Sequence, residues 1–482
     1  MWIAKKYRQL GVGVKASIVY TVASLLTKGL AIITTPIFTR MLTSSQMGTV
    51  NLYNSWYSMI GVIATLSLTS GGFQIAMKEF EGRRDQYVSS VLTITSLMAL
   101  ILTGIYCVAP HFWQKWMGLP NELIILMLFG FLVSPANEFW LAKQRYEYKY
   151  RIVGITSTLT AILASFLSIL VVFYLNSKHS NYVSEGRLFA NYFIIYGFAA
   201  FIWLHLLLKG KTFFLKEFWK FSLSISIPLV GYALARQVLD VSDRIMISHY
   251  VGNSAVGIYS LLYTVSSISL IIWNAINSSF VPYLYQNMDK KEKKYQIQNL
   301  ATGLLAAYAL FAIAITFFAP EMVKILATKE YSEAVYIAPP IAAGVFLTSV
   351  SHMYSNVLLY YKKSTVIMVS SVVAALVNVI LNAIFIPTIG YQAAAYTTLI
   401  AYIILAGFEG FLAMKAYKKI NGKKMEVYNN TYIFYLCIGT ILLCMSALFF
   451  YKYNILRYIL IIMFAIIAIV FIKMSKKENK KN

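Results

Sequence analysis

The sequence predicts an all-α integral membrane protein with about fourteen transmembrane helices. Of its 482 residues, 59% are hydrophobic and 12% are charged, and the mean hydropathy is +0.66. The apolar residues form runs of about 20, the length that a helix needs to cross a bilayer. Short bursts of lysine and arginine separate these runs. This composition excludes a soluble globular protein of the same length.

Fourteen apolar runs follow one another along the chain, and only short loops join them. No small-residue cleavage site follows the first run, so we expect it to be a retained helix and not a signal peptide. The runs cover residues 16–39, 50–77, 88–110, 121–142, 152–175, 188–208, 221–247, 255–285, 297–319, 333–360, 365–387, 391–414, 432–451 and 455–472.

The basic residues predict which side of the membrane each loop occupies. If the sides alternate from an internal N-terminus, the internal segments hold 31 of the 42 lysines and arginines, and the external segments hold eight. This bias is the one that cytoplasmic loops show. We therefore expect a bacterial cytoplasmic membrane protein with both termini in the cytosol. The positive charge is explained by topology, so no nucleic-acid partner is indicated.

A faint internal repeat divides the chain. Ser44–Gly48 opens the second run after Arg40, and Asn253–Gly257 opens the eighth run after Arg244. The spacing predicts two related six-helix lobes, residues 1–210 with helices one to six and residues 211–424 with helices seven to twelve. Residues 425–482 supply helices thirteen and fourteen and a basic cytosolic tail.

Several classes of enzyme are disfavoured. The external loops are short, whereas a glycan polymerase or acyltransferase acting outside would display a large loop or domain. The sequence also has no phosphate-cradling glycine loop, metal-binding helix motif or Ser-His-Asp set. We therefore expect a transporter without metal or cofactor, and not an enzyme.

Several short motifs resemble one family of membrane transporters. Taken in order along the whole chain, they are Thr39-Arg40-Met41-Leu42 with Gly48, residues 144–150 (QRYEYKY), Asp243-Arg244 with Gly257-Ile258-Tyr259, residues 378–382 (NVILN), Ile386-Pro387, Gly390 and Ala393-Ala394-Ala395. Their order and spacing are similar to those of Wzx-type polysaccharide flippases of the multidrug/oligosaccharidyl-lipid/polysaccharide exporter superfamily.

The resemblance implies a fold, a substrate and partners. The fold would be two pseudo-symmetric six-helix lobes arranged as a V around a central cavity, plus two C-terminal helices. The substrate would be an undecaprenyl-diphosphate-linked oligosaccharide, moved to the outer leaflet by alternating access for O-antigen (lipopolysaccharide), capsule or exopolysaccharide synthesis. Partners would include the lipid bilayer, a polysaccharide polymerase and chain-length machinery.

Positive charges within the apolar runs are the first candidates for substrate contacts. Lys28 lies near the bilayer midplane, where a cation is costly unless it meets water, a partner or an anion. It can line a cavity, or instead snorkel or pair structurally. Three charged residues of the seventh run share one helical stripe because they are four residues apart; they are Arg236, Asp240 and Arg244.

The roles within this stripe remain open. Arg236 suits bidentate contacts to phosphate or acidic sugars. Asp240 and Asp243 can pair with the arginines or couple transport to an ion. Arg40 and Arg244 can be interfacial anchors, an outer gate or substrate contacts.

Other polar residues in the apolar runs have two possible roles. Glu138 and Glu409 can couple transport to an ion, or be neutralised by loop lysines. Four asparagines can contact sugar, although bonding between helices is their default role; they are Asn274, Asn277, Asn378 and Asn382.

Alternative functions stay open within the same superfamily. A drug/cation antiporter is disfavoured by fourteen predicted spans, where twelve are expected, and by the cationic candidates. The sequence distinguishes a lipid II flippase of the same fold less clearly from a polysaccharide flippase. A membrane glycan polymerase or acyltransferase is the alternative from a different class.

Overall fold

The computed structural model describes residues 11–70, 72–463 and 466, without the side chains of residues 266–268, and these residues form helices and turns but no strand. The first ten helices are α1 (Val12–Met41), α2 (Ser44–Thr65), α3 (Gly72–Glu79), α4 (Arg84–Val108), α5 (Pro110–Met117), α6 (Asn121–Tyr146), α7 (Tyr150–Ser177), α8 (Val183–Gly210), α9 (Lys216–Tyr250) and α10 (Asn253–Asn287). The others are α11 (Lys294–Phe317), α12 (Ala319–Leu326), α13 (Ala338–Tyr360), α14 (Ser364–Ile389), α15 (Gln392–Asn421), α16 (Asn430–Phe450) and α17 (Asn454–Met463). Short 3-10 helices cover Glu81–Arg83, Lys291–Lys293 and Lys329–Ile337.

Twelve helical segments in this part of the chain are long and apolar enough to cross a membrane. They coincide with the first predicted run and with the third to the thirteenth. The fourteenth run begins with α17, and its remainder lies outside the described residues. The predicted all-α membrane architecture is confirmed.

The second predicted run, 50–77, is interrupted in the structure. A capping box starts α2: the Thr43 side chain accepts from the Gln46 amide, and Thr43 N–H donates to the Gln46 side chain at 3.0 Å. The helix ends where Leu66 and Ser67 adopt left-handed backbone angles, with φ of 49° and 50°. A turn follows before α3, so the run is a long helix and a short one.

The chain divides into two compact units, the first ending at Gly257 and the second beginning at Ile258. In the first unit α1 packs on α7, α7 and α6 pack on α8, and α9 packs on α2. The predicted division at 210/211 into six-helix lobes remains a prediction.

The basic loops of the first unit meet on one side of it, which we call the basic face. Lys143, at the end of α6, and Lys209, at the end of α8, both pair with Asp85 at the start of α4. Arg83 donates two hydrogen bonds of 3.1 Å to Glu217, at the start of α9. These contacts join the predicted internal loops 78–84, 143–151 and 209–220.

The predicted external loops of the first unit also meet one another. Asn176, near the end of α7, donates to the Met41 carbonyl at 2.6 Å, and Trp56 of α2 donates to the Met117 carbonyl at 3.0 Å. Helices α1 and α7 therefore end on the same side. As the first and fifth predicted spans, they must run parallel if the sides alternate, and they do.

The second unit is built around α13, which is buried along almost its whole length by α11, α15 and α16. The basic loops meet here as well. The Lys294 ammonium donates to Glu426 and lowers the pKa of that carboxyl, and Tyr360 donates to Asp289. Segments predicted to share a side thus make contact in each unit.

Candidate functional site

Lys28 lies near the middle of α1, about 2 Å from the helix midpoint at 1.5 Å per residue. Its side chain is exposed, and it makes no hydrogen bond or ion pair with any other described residue. A lysine at this depth is stable only beside water or an anion. The position therefore requires a polar surrounding inside the membrane.

Lys28 belongs to a polar stripe along α1. Ser17, Thr21, Ser24, Lys28 and Thr35 follow one another at helical spacings of three, four and seven residues, so they share one face. This face lies roughly 150° around the helix from the face that packs on α7. Four of the five residues are exposed and Thr35 is half-buried. Helix α1 is therefore amphipathic, with Lys28 as the charged group of its polar face.

The charged residues of α9 form an internal network. Arg236 Nε lies 3.5 Å from Asp240 Oδ2, and both side chains are about one-third exposed. Arg244 Nη1 donates to the backbone carbonyl of Asp240 at 2.9 Å. Asp243 is buried, whereas Arg236 lies just past the middle of the helix and its side chain is about one-third exposed. Asp240 thus orients Arg236, whose side chain stays partly exposed.

The two copies of the repeat motif pack against each other. Ser44 Oγ and Ser254 Oγ are 2.5 Å apart. A Cβ added to Gly48 would lie 1.7 Å from the Asn253 carbonyl oxygen, and one added to Gly257 would lie 2.1 Å from that of Ser44. Glycine is therefore required at both positions because the backbones of α2 and α10 touch.

Arg40 stands beside this contact, at the end of α1. It is exposed, and its Nη1 donates to the Pro36 carbonyl at 2.9 Å. Arg244 lies six residues before the end of α9 on the same side of the unit. Both arginines thus lie near turns that the sequence predicts to be external, and their anchor and gate roles stay predictions.

A tyrosine cluster, made of Tyr53, Tyr57, Tyr192 and Tyr196, joins α2 to α8. The ring centroids of Tyr192 and Tyr196 are 4.7 Å apart, and those of Tyr53 and Tyr192 are 5.3 Å apart. Tyr192 donates to the exposed Asn54 side chain at 2.9 Å. Tyr53 and Tyr196 are fully buried, whereas Tyr57, Tyr192 and Asn54 keep accessible surface that can contact a sugar ring and its hydroxyls.

Glu138 lies close to this cluster on α6. Its carboxylate accepts from Thr69 at 3.3 Å, and Ser134, one turn earlier, accepts from Tyr57 at 3.0 Å. The Glu138 side chain is exposed. It is therefore reachable by a cation or proton.

Glu409, in the second unit, is buried and accepts from the hydroxyls of Ser351 and Ser355. These bonds tie α15 to α13. The Glu409 carboxylate is thus stabilised by hydroxyl donors of the neighbouring helix α13, whereas the sequence suggested that loop lysines would neutralise it.

The four asparagines fall into two groups. Asn378 and Asn382 are fully buried and bond to each other and to the threonines of α15. Asn277 accepts from the Asn356 amide at 2.8 Å, and Asn274 is exposed and bonds to no other described residue. The first pair therefore acts in helix packing, and Asn274 is the one best placed to meet a ligand.

Sequence reasoning missed the polar stripe and the tyrosine cluster. The stripe carries a signal, since its serines and threonines repeat at helical spacing with Lys28. The tyrosine cluster has no such signal in the sequence, because α2 and α8 are more than a hundred residues apart in the chain.

Comparison with known proteins identifies the family. Residues 14–288, more than half of the chain, match the family described as polysaccharide biosynthesis protein, and residues 228–384 match the MatE family. The Lsg locus putative protein 1 of Haemophilus influenzae is 24% identical over 76% of this chain and 89% of its own length. The probable low-salt glycan biosynthesis flippase Agl15 of Haloferax volcanii is 22% identical over 81% of each chain.

Solved structures share the fold. The lipid II flippase MurJ, in an inward closed conformation, superimposes with a TM-score of 0.65 at 15% identity, covering 96% of this chain and 99% of that one. An inward-facing MATE multidrug transporter of the MOP superfamily superimposes with a TM-score of 0.60 at 15% identity, covering 85% of this chain and 100% of that one. The fold is thus that of MOP superfamily transporters, and the chain belongs to the polysaccharide biosynthesis protein family.

Proposed function

We propose that this protein is a flippase that moves a lipid-linked oligosaccharide repeat unit from the cytosolic to the outer leaflet. The carrier would be undecaprenyl diphosphate, and the product would serve the synthesis of a surface polysaccharide such as O-antigen, capsule or exopolysaccharide. The protein would work by alternating access in the bacterial cytoplasmic membrane and would form no covalent intermediate.

The observation that carries this proposal is Lys28. It is an exposed cation in the middle of a membrane-length helix, and it has no partner among the described residues. A diphosphate passing through the membrane needs a positive charge at this depth, since hydrocarbon cannot stabilise the anion. The polar stripe on α1 supplies hydroxyl groups on either side of that charge.

Two further groups support the proposal. Arg236 has a partly exposed side chain, held by Asp240, that suits a phosphate or an acidic sugar. The tyrosine cluster and Asn54 suit the neutral sugars of a repeat unit. Of the tyrosine cluster, only Tyr57 and Tyr192 are accessible. Together with Asn54 and the cations of α1 and α9, they match an amphiphilic anion with a glycan and do not favour a cationic drug.

Replacement of Lys28 by alanine in the native host tests the proposal. We expect loss of the surface polysaccharide, with the lipid-linked repeat unit accumulating in the cytosolic leaflet. Lys178→Ala, a change of an exposed lysine at the end of α7, should leave the polysaccharide unchanged.

Other outcomes would separate the alternatives. Single repeat units accumulating in the outer leaflet would indicate a polymerase. Arrest of cell-wall synthesis with normal surface polysaccharide would indicate a lipid II flippase. Either result at normal protein level would contradict the proposed substrate.

A further inference from the structure

We propose that a groove between α1 and α7 holds the isoprenoid chain of a polyprenyl phosphate, with Arg151 binding the phosphate. This inference rests on the proposed function and names a second contact for its substrate, separate from the polar face of α1. The groove occupies the opposite face of α1, the one that packs on α7.

The groove has the shape and surface of a site for one hydrocarbon chain. Its volume is about 600 Å³, and it is apolar except for Arg151, Tyr150 and Thr158 at its wall. It extends along α7 for about 18 Å at 1.5 Å per residue. The apolar lining is contributed by both helices and includes Ile18, Val22, Leu26, Ile155, Leu159 and Ile162.

Small residues form the floor of the groove. A Cβ on Gly154 would come within 2.6 Å of Val19 Cγ1, so glycine lets α1 and α7 approach closely there. Ala23 faces the same space and is almost completely buried. The exposed isoleucines and leucines on either side then rise above the floor as walls.

The charge at one end of the groove identifies the head of the ligand. Arg151 lies in the first turn of α7, where the helix dipole also favours an anion. Its side chain is exposed and makes no hydrogen bond or ion pair with the other described residues. Lys149, two residues earlier, is occupied by Glu147 at 2.6 Å. Arg151 is therefore a cation at this end of the groove that has no ion pair among the described residues.

A polar pocket lies on the basic face, and the segment that precedes α7 contributes to its lining. It measures about 570 Å³ and is lined by Arg145, Tyr148 and the other side chains of the segment 145–148, with Gln74, Glu81 and Arg84. The guanidinium of Arg145 lies 5.9 Å from the Tyr20 ring, next to groove residue Val19. A chain in the groove would thus place its phosphate beside a polar space of the size that a small glycan needs.

The isoprenoid chain is favoured over a phospholipid. A groove of this volume suits part of one chain better than the paired acyl chains of a diacyl lipid. The head site has two arginines without an ion pair among the described residues, Arg151 at the groove and Arg145 in the polar pocket, and this order matches a chain, a phosphate and then sugar. We therefore commit to a polyprenyl phosphate as the occupant.

Photolabelling of the purified full-length protein in nanodiscs tests this inference. The probe is a polyprenyl phosphate with a diazirine in its first isoprene units, and labelled peptides are mapped by mass spectrometry. We expect label in residues 18–26 and 150–162. Leu159→Trp should block the groove, and Arg151→Gln should weaken labelling about tenfold, the effect of one lost charge-assisted hydrogen bond.

Matched controls lie on the same segments. Leu163→Trp changes an equally apolar, exposed residue of α7 outside the groove, and Lys149→Gln removes the paired lysine. Both should be labelled like the unmodified protein. Equal labelling of Leu159→Trp, or equal competition by an anionic diacyl phospholipid, would overturn the inference.

The outcome can be separated from that of the proposed function. If the groove is never labelled while cells keep Lys28-dependent flipping, the groove assignment fails and the flippase stands. If the groove is labelled as expected while Lys28→Ala cells make normal polysaccharide, the flippase proposal fails and the lipid site stands.

Discussion

Single side chains decide how charge is tolerated inside this protein. Asp243 and Glu409 are buried, and Glu409 is held by hydroxyl donors of a neighbouring helix. Lys28 has no hydrogen-bonding or ion-pair partner among the described residues, although it lies as close to the middle of its helix as Glu409 does. The difference separates charges that stabilise helix packing from a charge that is available to a ligand.

The charge of Lys28 should matter more than its shape. Lys28→Arg keeps a cation at the same depth and should retain most surface polysaccharide, whereas Lys28→Gln keeps the length and removes the charge. We expect at least about a tenfold loss for the glutamine variant, the effect of one charge-assisted contact. Quantitative immunoblotting measures the surface polysaccharide of each variant, normalised to the level of the protein. Equal output from both variants would exclude an electrostatic role.

Substitution of Arg236 should reduce transport more than substitution of its partner Asp240. Because Asp240 orients the guanidinium through a 3.5 Å contact, Asp240→Asn should reduce transport less than Arg236→Ala. Arg236→Lys should retain little transport, since an ammonium lacks the planar, bidentate geometry of the guanidinium. The same polysaccharide measurement applies. A larger loss from Asp240→Asn than from Arg236→Ala would instead assign the aspartate to ion coupling.

At the scale of elements, the contact between α2 and α10 brings the backbones of two repeat-related segments together. Two glycines permit it, and Ser44 and Ser254 bond across it. Helices that meet at glycines can separate as rigid bodies without leaving side chains unpacked. We expect this contact to open and close during transport.

A disulfide across this contact should arrest transport. Ser44→Cys with Ser254→Cys, in a background where the exposed Cys107 is replaced by serine, should cross-link on oxidation. Polysaccharide output should stop and should resume after reduction. The single-cysteine variants are the controls. Full output from the cross-linked protein would show that α2 and α10 do not separate.

Gly48 should be essential for the same contact. Gly48→Val places a side chain where the Asn253 carbonyl now lies, 1.7 Å from the new Cβ, and should abolish the cross-link between positions 44 and 254. Gly61→Ala on the same helix adds an ordinary 3.7 Å contact with Phe131 and should leave the cross-link intact. Equal cross-linking in both variants would contradict the observed packing.

Sequence patterns predicted helices better than the interruptions between them. The apolar runs anticipated twelve segments of membrane length, and the repeat motif anticipated two glycines that now prove to be in contact. The break after α2 was missed because Leu66 and Ser67 adopt left-handed angles without a glycine. The groove depends on the register between α1 and α7, which separate segments of a sequence do not reveal.

At the scale of the whole molecule, the charge distribution predicts a fixed orientation. Lys149 lies on the basic face and Lys178 on the opposite side of the first unit. With Cys107 replaced by serine, a membrane-impermeant thiol reagent should label Lys178→Cys in intact cells and spare Lys149→Cys until the membrane is opened. The reverse pattern would place the N-terminus outside the cytosol.

Translocation by the purified protein tests the central claim most directly. Proteoliposomes would contain a fluorescent polyprenyl-diphosphate oligosaccharide in both leaflets, and an impermeant glycosidase would report the fraction exposed outside. We predict that the unmodified protein makes the inner pool accessible within minutes, and that Lys28→Ala leaves it protected as in protein-free vesicles. An inner pool that stays protected with the unmodified protein, or becomes equally accessible with Lys28→Ala, would contradict the account.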